Sequence, residues 1–92
     1  MAPGPDNYLY GGGDGSSLDQ AVVINTLSSA VGIPADYGYL ARVYGQQNVA
    51  WSVVRQVLLL HGNVRYDRLH IRLSNGEERS IYFDISQFYG QE

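Results

Sequence analysis

The 92-residue sequence contains no cysteine and no lysine, and it has only three prolines and two histidines. Without cysteine the chain cannot form a disulfide, a thiolate metal site or a thiol nucleophile. Without lysine it has no side chain for Schiff-base catalysis. We find no constellation typical of a catalytic, metal or cofactor site, so the sequence predicts a non-enzymatic protein that uses neither metal nor cofactor.

Charge and long apolar runs are also scarce. Only 16% of residues are charged and the formal net charge is -3, which argues against nucleic acid as a partner, because such binding rests on many phosphate contacts. The apolar run at residues 57 to 60, which no other run exceeds in length, is far shorter than the roughly 20 residues of a membrane helix. The opening residues lack the pattern of a secretory signal. We therefore expect a cytoplasmic protein with no membrane segment.

Apolar and aromatic residues are plentiful, at 45% and 12% of the chain, and predict a packed core. Eight tyrosines and Trp51 account for most of the aromatic content. Residues 1 to 17 are rich in glycine and proline, which is typical of a flexible lead. We predict that this lead precedes a single α+β domain at residues 18 to 92.

The periodicity of the domain predicts a short strand, one main helix and three further strands. The apolar, β-branched run at residues 21 to 24 predicts a first strand over residues 20 to 25. Apolar residues then recur at helical spacing and end at Gly45, a glycine that suits a helix end. The helical positions are Tyr37, Leu40, Ala41 and Tyr44. Residues 49 to 60 fit either a helix face or a strand, and the hairpin turn Gly62-Asn63 favours the strand.

Two more strands, residues 64 to 73 and 79 to 85, form the last predicted hairpin. A two-residue turn at Asn75-Gly76 would expose the apolar face of one strand to water. A three-residue loop at residues 74 to 76, with Gly76 at positive φ in a bulge, instead places Leu69 opposite Ile81. The sequence thus predicts a three-stranded antiparallel meander with the helix on the Leu69 side, and Asp67 and Asp84 on opposite faces.

Several short motifs together suggest a resemblance. They are Gly12-Gly13-Asp14-Gly15-Ser16-Ser17, Tyr39-Leu40, Trp51, Tyr66-Asp67 and Ile81-Tyr82-Phe83-Asp84-Ile85-Ser86. With them the chain resembles a group of small bacterial proteins of uncharacterised function over about residues 12 to 90. The resemblance implies no activity and no catalytic residue, and it favours a strand at residues 51 to 60.

The face of the sheet opposite the helix is the predicted interface, because aromatic and arginine side chains together are typical of interface anchors. Its residues are Val57, Leu59, Tyr66, Arg68, His70, Arg72 and Tyr82.

The strand at residues 51 to 60 is apolar on both sides, and one helix covers only one of them. We assign Val53, Val57 and Leu59 to one face and Val54, Leu58 and Leu60 to the other. The second face needs a cover, since an exposed apolar strip is an association site. Residues 1 to 17 with Tyr8 and Tyr10, the C-terminal Phe88-Tyr89, or another copy of the protein could supply it.

A glycine-rich loop and two histidines are the remaining candidates. The loop consists of Gly12, Gly13, Asp14, Gly15, Ser16 and Ser17. Glycine-rich loops can bind phosphate, but this loop lacks a following lysine and precedes a strand, which favours a capped turn. His61 and His70 are expected to be surface residues, with Arg68, Arg72 and Ser80 around His70.

The sequence favours a protein-binding or self-associating module whose partner, an unknown protein or a second copy, it does not identify. One alternative is a small ligand-binding or hydrolytic domain that uses the glycine-rich loop. The other is a single-stranded nucleic-acid binder that uses the sheet face.

Overall fold

The computed structural model describes residues 9 to 89, which form an α+β fold with a five-stranded mixed sheet. The strands are β1 (Tyr10–Gly12), β2 (Val22–Ile24), β3 (Trp51–His61), β4 (Val64–Leu73) and β5 (Glu78–Asp84). A one-turn helix α1 (Ser29–Gly32) and the main helix α2 (Ala35–Tyr44) lie between β2 and β3 in the chain. The order across the sheet is β1-β2-β5-β4-β3, with β2 parallel to β5 and every other pair antiparallel.

The predicted register of the last hairpin is confirmed. Leu69 lies opposite Ile81, and Gly76 has a φ of 90°. The Leu73 N–H donates to the Glu77 carbonyl at 2.7 Å, which closes a three-residue loop at residues 74 to 76. The resulting register keeps the apolar residues of β4 and β5 on one side of the sheet.

The N-terminal part of the sheet differs from the prediction. The first predicted strand is shorter, at residues 22 to 24, and it pairs with β5 in parallel. Residues 10 to 12, placed by the sequence in a flexible lead, form the additional strand β1 against β2. Strand β1 has no alternating apolar pattern, because Tyr10 is followed by glycines, and backbone pairing defines it. Residues 1 to 8 of the predicted lead lie outside the described residues.

The ambiguous segment at residues 49 to 60 contains a strand, as the hairpin turn indicated, and β3 spans residues 51 to 61. The expectation that Val53 shares a face with Val57 and Leu59 is wrong. A β-bulge between Val53 and Arg55 adds a residue to β3, and an added residue inverts the alternation of side chains beyond it. Val53 therefore pairs with Ile71 on the side of the core, whereas Val57 pairs with Arg68 on the other side.

The core lies between α2 and one side of the sheet, which we call the helix face; the opposite side is the open face. Leu40 of α2 is fully buried, and Ala35 and Asp36 are almost so. The Trp51 indole N–H donates to the Gly45 carbonyl at 2.7 Å and fixes the end of the helix. Ala41, expected on the buried side, is exposed. The sheet side of the core comprises Val22, Ile24, Leu69, Ile71, Ile81 and Phe83.

Candidate functional site

The open face collects every residue of the predicted interface. Val57 lies opposite Arg68, which lies opposite Tyr82 on the far side of β4. Leu59 lies opposite Tyr66 by the same alternation. Because directly opposed residues share a face, these side chains form one continuous surface across β3, β4 and β5. His70 and Arg72 continue it toward the bulged end of β3.

The end of the open face near the bulge is polar and internally paired. His70 Nε2 and Glu78 Oε1 are 2.7 Å apart, and His70 Nδ1 and Ser80 Oγ are 2.9 Å apart. Arg72 Nη2 donates to Glu78 Oε2 at 2.8 Å. The hydrogen bonds to Glu78 lower its pKa, and the bond from His70 has a larger effect than the bond from Arg72. The sequence predicted Arg68, Arg72 and Ser80 around His70. It did not predict the carboxylate of Glu78, which lies diagonally across from His70 and contacts its ring.

The described residues that could have covered the open face lie on the helix face instead. The Tyr10 hydroxyl donates to the Ala35 carbonyl of α2 at 2.7 Å. Phe88 is buried, and an added Cβ at Gly32 of α1 would meet its ring. Tyr89 lies beneath the Arg65 guanidinium, 5.3 Å from the ring centroid, and Arg65 shares a face with Asp67. Tyr8 lies outside the described residues.

Strand β3 forms one edge of the sheet, so in the part of the chain that the structure describes its outer backbone pairs with no strand. Natural edge strands are commonly protected by charges, prolines or bulges. The bulge and Arg55 occupy the first half of β3, but residues 57 to 60 are all valine or leucine. Leu58 and Leu60 are 50% and 66% exposed. This half of the edge combines a free backbone with apolar side chains on both faces.

The glycine-rich loop at residues 12 to 17 uses its backbone donors within the chain. The Gly13 and Gly15 N–H groups donate to the Ala21 and Gln20 carbonyls. The Ser16 N–H donates to Asp14 Oδ1 at 3.0 Å, and hydrogen bonding by Ser16 lowers the pKa of Asp14. Gly15 has a φ of 83°, and a Cβ there would lie 2.5 Å from Ile81. These contacts support the capped-turn interpretation, since three donors that an anion would need are already engaged.

The helix face contains a pair of buried carboxyl groups that were not predicted from the sequence. Asp36 of α2 is 3% exposed and Asp67 of β4 is 7% exposed. Burial, together with the neighbouring Asp67, raises the pKa of Asp36 to about 8. Asp36 precedes the buried Leu40 by four residues, which places both on one side of the helix. This spacing is the feature of the sequence from which the burial of Asp36 could have been predicted.

Asp67 accepts a hydrogen bond from Gln56 Nε2 at 2.7 Å. Asp84 lies on the open face, opposite in direction to Asp67 as predicted, and accepts hydrogen bonds from the backbone N–H and the hydroxyl of Ser86. Within residues 9 to 89, no three histidine or acidic side chains come together as a metal site would require.

No family model, no curated protein and no solved structure matches the chain. The resemblance to a group of small bacterial proteins therefore stays a prediction. None of the helices formed by the described residues is long and apolar enough to cross a membrane.

Proposed function

We propose that this protein is a non-enzymatic protein-binding module that associates with a second copy of itself through the β3 edge and the adjoining open face. The observation that carries the proposal is the second half of β3, which joins an unpaired edge to apolar side chains on both faces. An exposed, long, apolar edge strand is a template for pairing with another chain. The expected setting is the cytoplasm.

The pattern of β3 is compatible with pairing to itself about a two-fold axis. If the axis is perpendicular to the sheet, the open faces of both copies lie on the same side of the joined sheet. Residues that pair across the axis must therefore belong to the same face. With Leu58 opposite Leu58 of the second copy, Val57 lies opposite Leu59, and both belong to the open face. Two copies joined in this way form a continuous ten-stranded sheet with an apolar strip along its centre.

The polar half of the open face supports a protein partner over a nucleic acid. Glu78 already pairs with Arg72 and His70, and a cation that pairs within its own sheet has less to gain from a phosphate. The Asp36 and Asp67 carboxyls are hydrogen-bonded neighbours, whereas glycoside hydrolysis needs its two carboxyl groups at least about 5 Å apart, one on each side of the scissile bond.

Sedimentation of the full chain over a wide concentration series tests the proposal. We expect a reversible dimer, and we expect Leu59→Lys to raise its dissociation constant at least about tenfold. Val43→Lys is the matched control, because Val43 is an apolar residue of α2 that is 53% exposed and lies on the helix side. A monomer at every concentration would overturn the proposal. So would equal weakening by Leu59→Lys and Val43→Lys.

A further inference from the structure

The helix face contains a cavity of about 350 Å³ between the two helices, β3 and the turn that follows β5. Its walls are largely apolar and include Ile33, Leu58, Ile85 and Phe88. Ile33 and Leu58 are 69% and 50% exposed, so the apolar rim is open to solvent. Small-molecule sites range upward from about 300 Å³ and combine apolar walls with a few convergent polar groups.

The polar groups of this cavity are Asp36, Asp67 and Gln56. Gln56 is oriented by Tyr37, whose hydroxyl donates to Gln56 Oε1 at 3.1 Å. Gln56 Nε2 consequently faces Asp67 and donates to its Oδ2 at 2.7 Å. On the other carboxyl, Asp36 Oδ1 accepts from the Tyr37 N–H at 2.9 Å. The two acids are thus held in place by neighbours from α2 and β3. We call this arrangement the carboxyl pocket.

The carboxyl pocket carries negative charge without a lining cation. Burial and the neighbouring Asp67 raise the pKa of Asp36 to about 8, so Asp36 holds its proton at neutral pH. The coulombic effect of Asp67 on Asp36 places a negative charge among the apolar walls. The residues that line the cavity include no arginine or histidine. Arg65 lies over Tyr89 at the same end of the domain and is not among the lining residues.

A buried charge is costly unless a partner compensates it. An ammonium group is the complementary partner, because its three donors can serve both carboxyls at once. A hydrocarbon body attached to that ammonium would fill the apolar part of the cavity. At about 30 Å³ for each non-hydrogen atom, the volume admits a molecule of about ten such atoms.

We propose that the carboxyl pocket binds a small primary amine with an apolar body, its ammonium between Asp36 and Asp67 and its hydrocarbon against Ile33, Leu58 and Phe88. The ammonium compensates the negative charge beside Asp36, and a nearby cation lowers the pKa of the Asp36 carboxyl, so its proton leaves to solvent more readily when the amine is bound. Binding therefore releases up to one proton and strengthens as pH rises toward 8. The groups that face Asp36 and set this dependence are Asp67 from β4, Gln56 from β3 and Tyr37 from α2 itself.

Calorimetric titration of the full chain with hexylamine tests this inference, with hexanol and hexanoate as matched probes. We expect saturable binding of hexylamine at least about tenfold tighter than that of hexanol, and none of hexanoate. Titration in buffers of different ionisation enthalpy should reveal the released proton. Shifts of the Ile33, Leu58 and Ile85 methyl resonances should locate the ligand.

Asp36→Asn and Asp67→Asn are each expected to weaken hexylamine binding at least about tenfold, whereas Asp84→Asn, a carboxyl on the open face, should not. Both pocket variants remove a buried charge conflict, so they should remain folded, which urea denaturation verifies. Equal affinity for hexylamine and hexanol would overturn the proposal, as would methyl shifts outside the pocket. Absence of hexylamine binding to the folded chain would also overturn it, whereas sedimentation of the full chain without amine decides self-association separately.

Discussion

The two faces of the sheet are built from alternate residues of the same strands, yet they differ in burial and in chemistry. Along β4, residues 67, 69 and 71 point to the helix face and are buried, whereas residues 66, 68 and 70 are half-buried and Arg72 is exposed. The helix face holds the apolar core and encloses two acids. The open face keeps its tyrosine and arginine side chains within reach of a partner. The core therefore lies on one face, whereas the tyrosine and arginine side chains of the predicted interface lie on the other.

The two edges of the sheet differ in the same way. Strand β1 is three residues long and contains two glycines, whereas β3 is eleven residues long and apolar through its second half. A very short edge is one of the ways in which proteins avoid unwanted pairing. Only β3 offers a long template, so we place the second copy there.

The largest expected effect is a difference in unfolding free energy between substitutions on the two faces. Phe83 is fully buried on the helix face, and Tyr82 is its half-buried neighbour on the open face. Phe83→Ala should lower the free energy of unfolding by about 3 to 5 kcal/mol, because it leaves a cavity in the core. Tyr82→Ala should cost less than half as much. Urea denaturation at neutral pH measures both, and equal losses would contradict the division of roles between the faces.

A second effect of the helix face, of similar size over its full pH range, is the pH dependence caused by Asp36. Its pKa is about 8 in the folded protein and 3.8 as an ordinary aspartate. The folded state therefore binds more protons between these values, and stability falls as pH rises through that window. Between about pH 5 and pH 8 the free energy of unfolding should decrease by at most about 1.4 kcal/mol per pH unit, then level off.

Denaturation of Asp36→Asn over the same pH range checks this origin. The amide mimics the protonated acid, so the variant should lose most of the slope and be at least as stable as the wild type at pH 8. Asp84→Asn on the open face should keep the slope. A slope that survives in Asp36→Asn would assign the titration to another group.

The smallest effect is expected for the ion pair on the open face. Arg72 and Glu78 are both well exposed, at 54% and 39% of their side chains. Arg72→Ala should therefore change the free energy of unfolding by less than about 1 kcal/mol, and added salt should reduce the difference further. A loss as large as that of Phe83→Ala would mean that the open face contributes to the core after all.

The hairpin register could be predicted because a three-residue loop, unlike a two-residue turn, keeps the apolar residues of both strands on one face. This loop places Leu69 opposite Ile81, and Gly76 supplies the conformation that it needs. The bulge in β3 could not be predicted in this way. Val53, Val54 and Val57 are alike as side chains, and only pairing with β4 reveals which residue is extra.

The parts that the sequence did not reveal depend on contacts between distant residues. Asp36 and Asp67 belong to different elements, and their approach follows from how α2 lies on the sheet, which no local pattern encodes. Strand β1 was missed because glycines carry no side-chain pattern, and its pairing with β2 defines it. The residues of the open face, in contrast, followed from alternation alone once the register of β4 was known.

Amide hydrogen exchange at low and high protein concentration tests the central claim most directly, because it reads the β3 backbone itself. Among residues 55 to 61, we expect the alternate amides that point away from β4 to exchange more slowly at high concentration, while those of β1 at the other edge stay unchanged. Protection that appears at β3 alone would support pairing through this edge. Exchange at β3 that does not depend on concentration, in a sample whose mass shows a dimer, would contradict it.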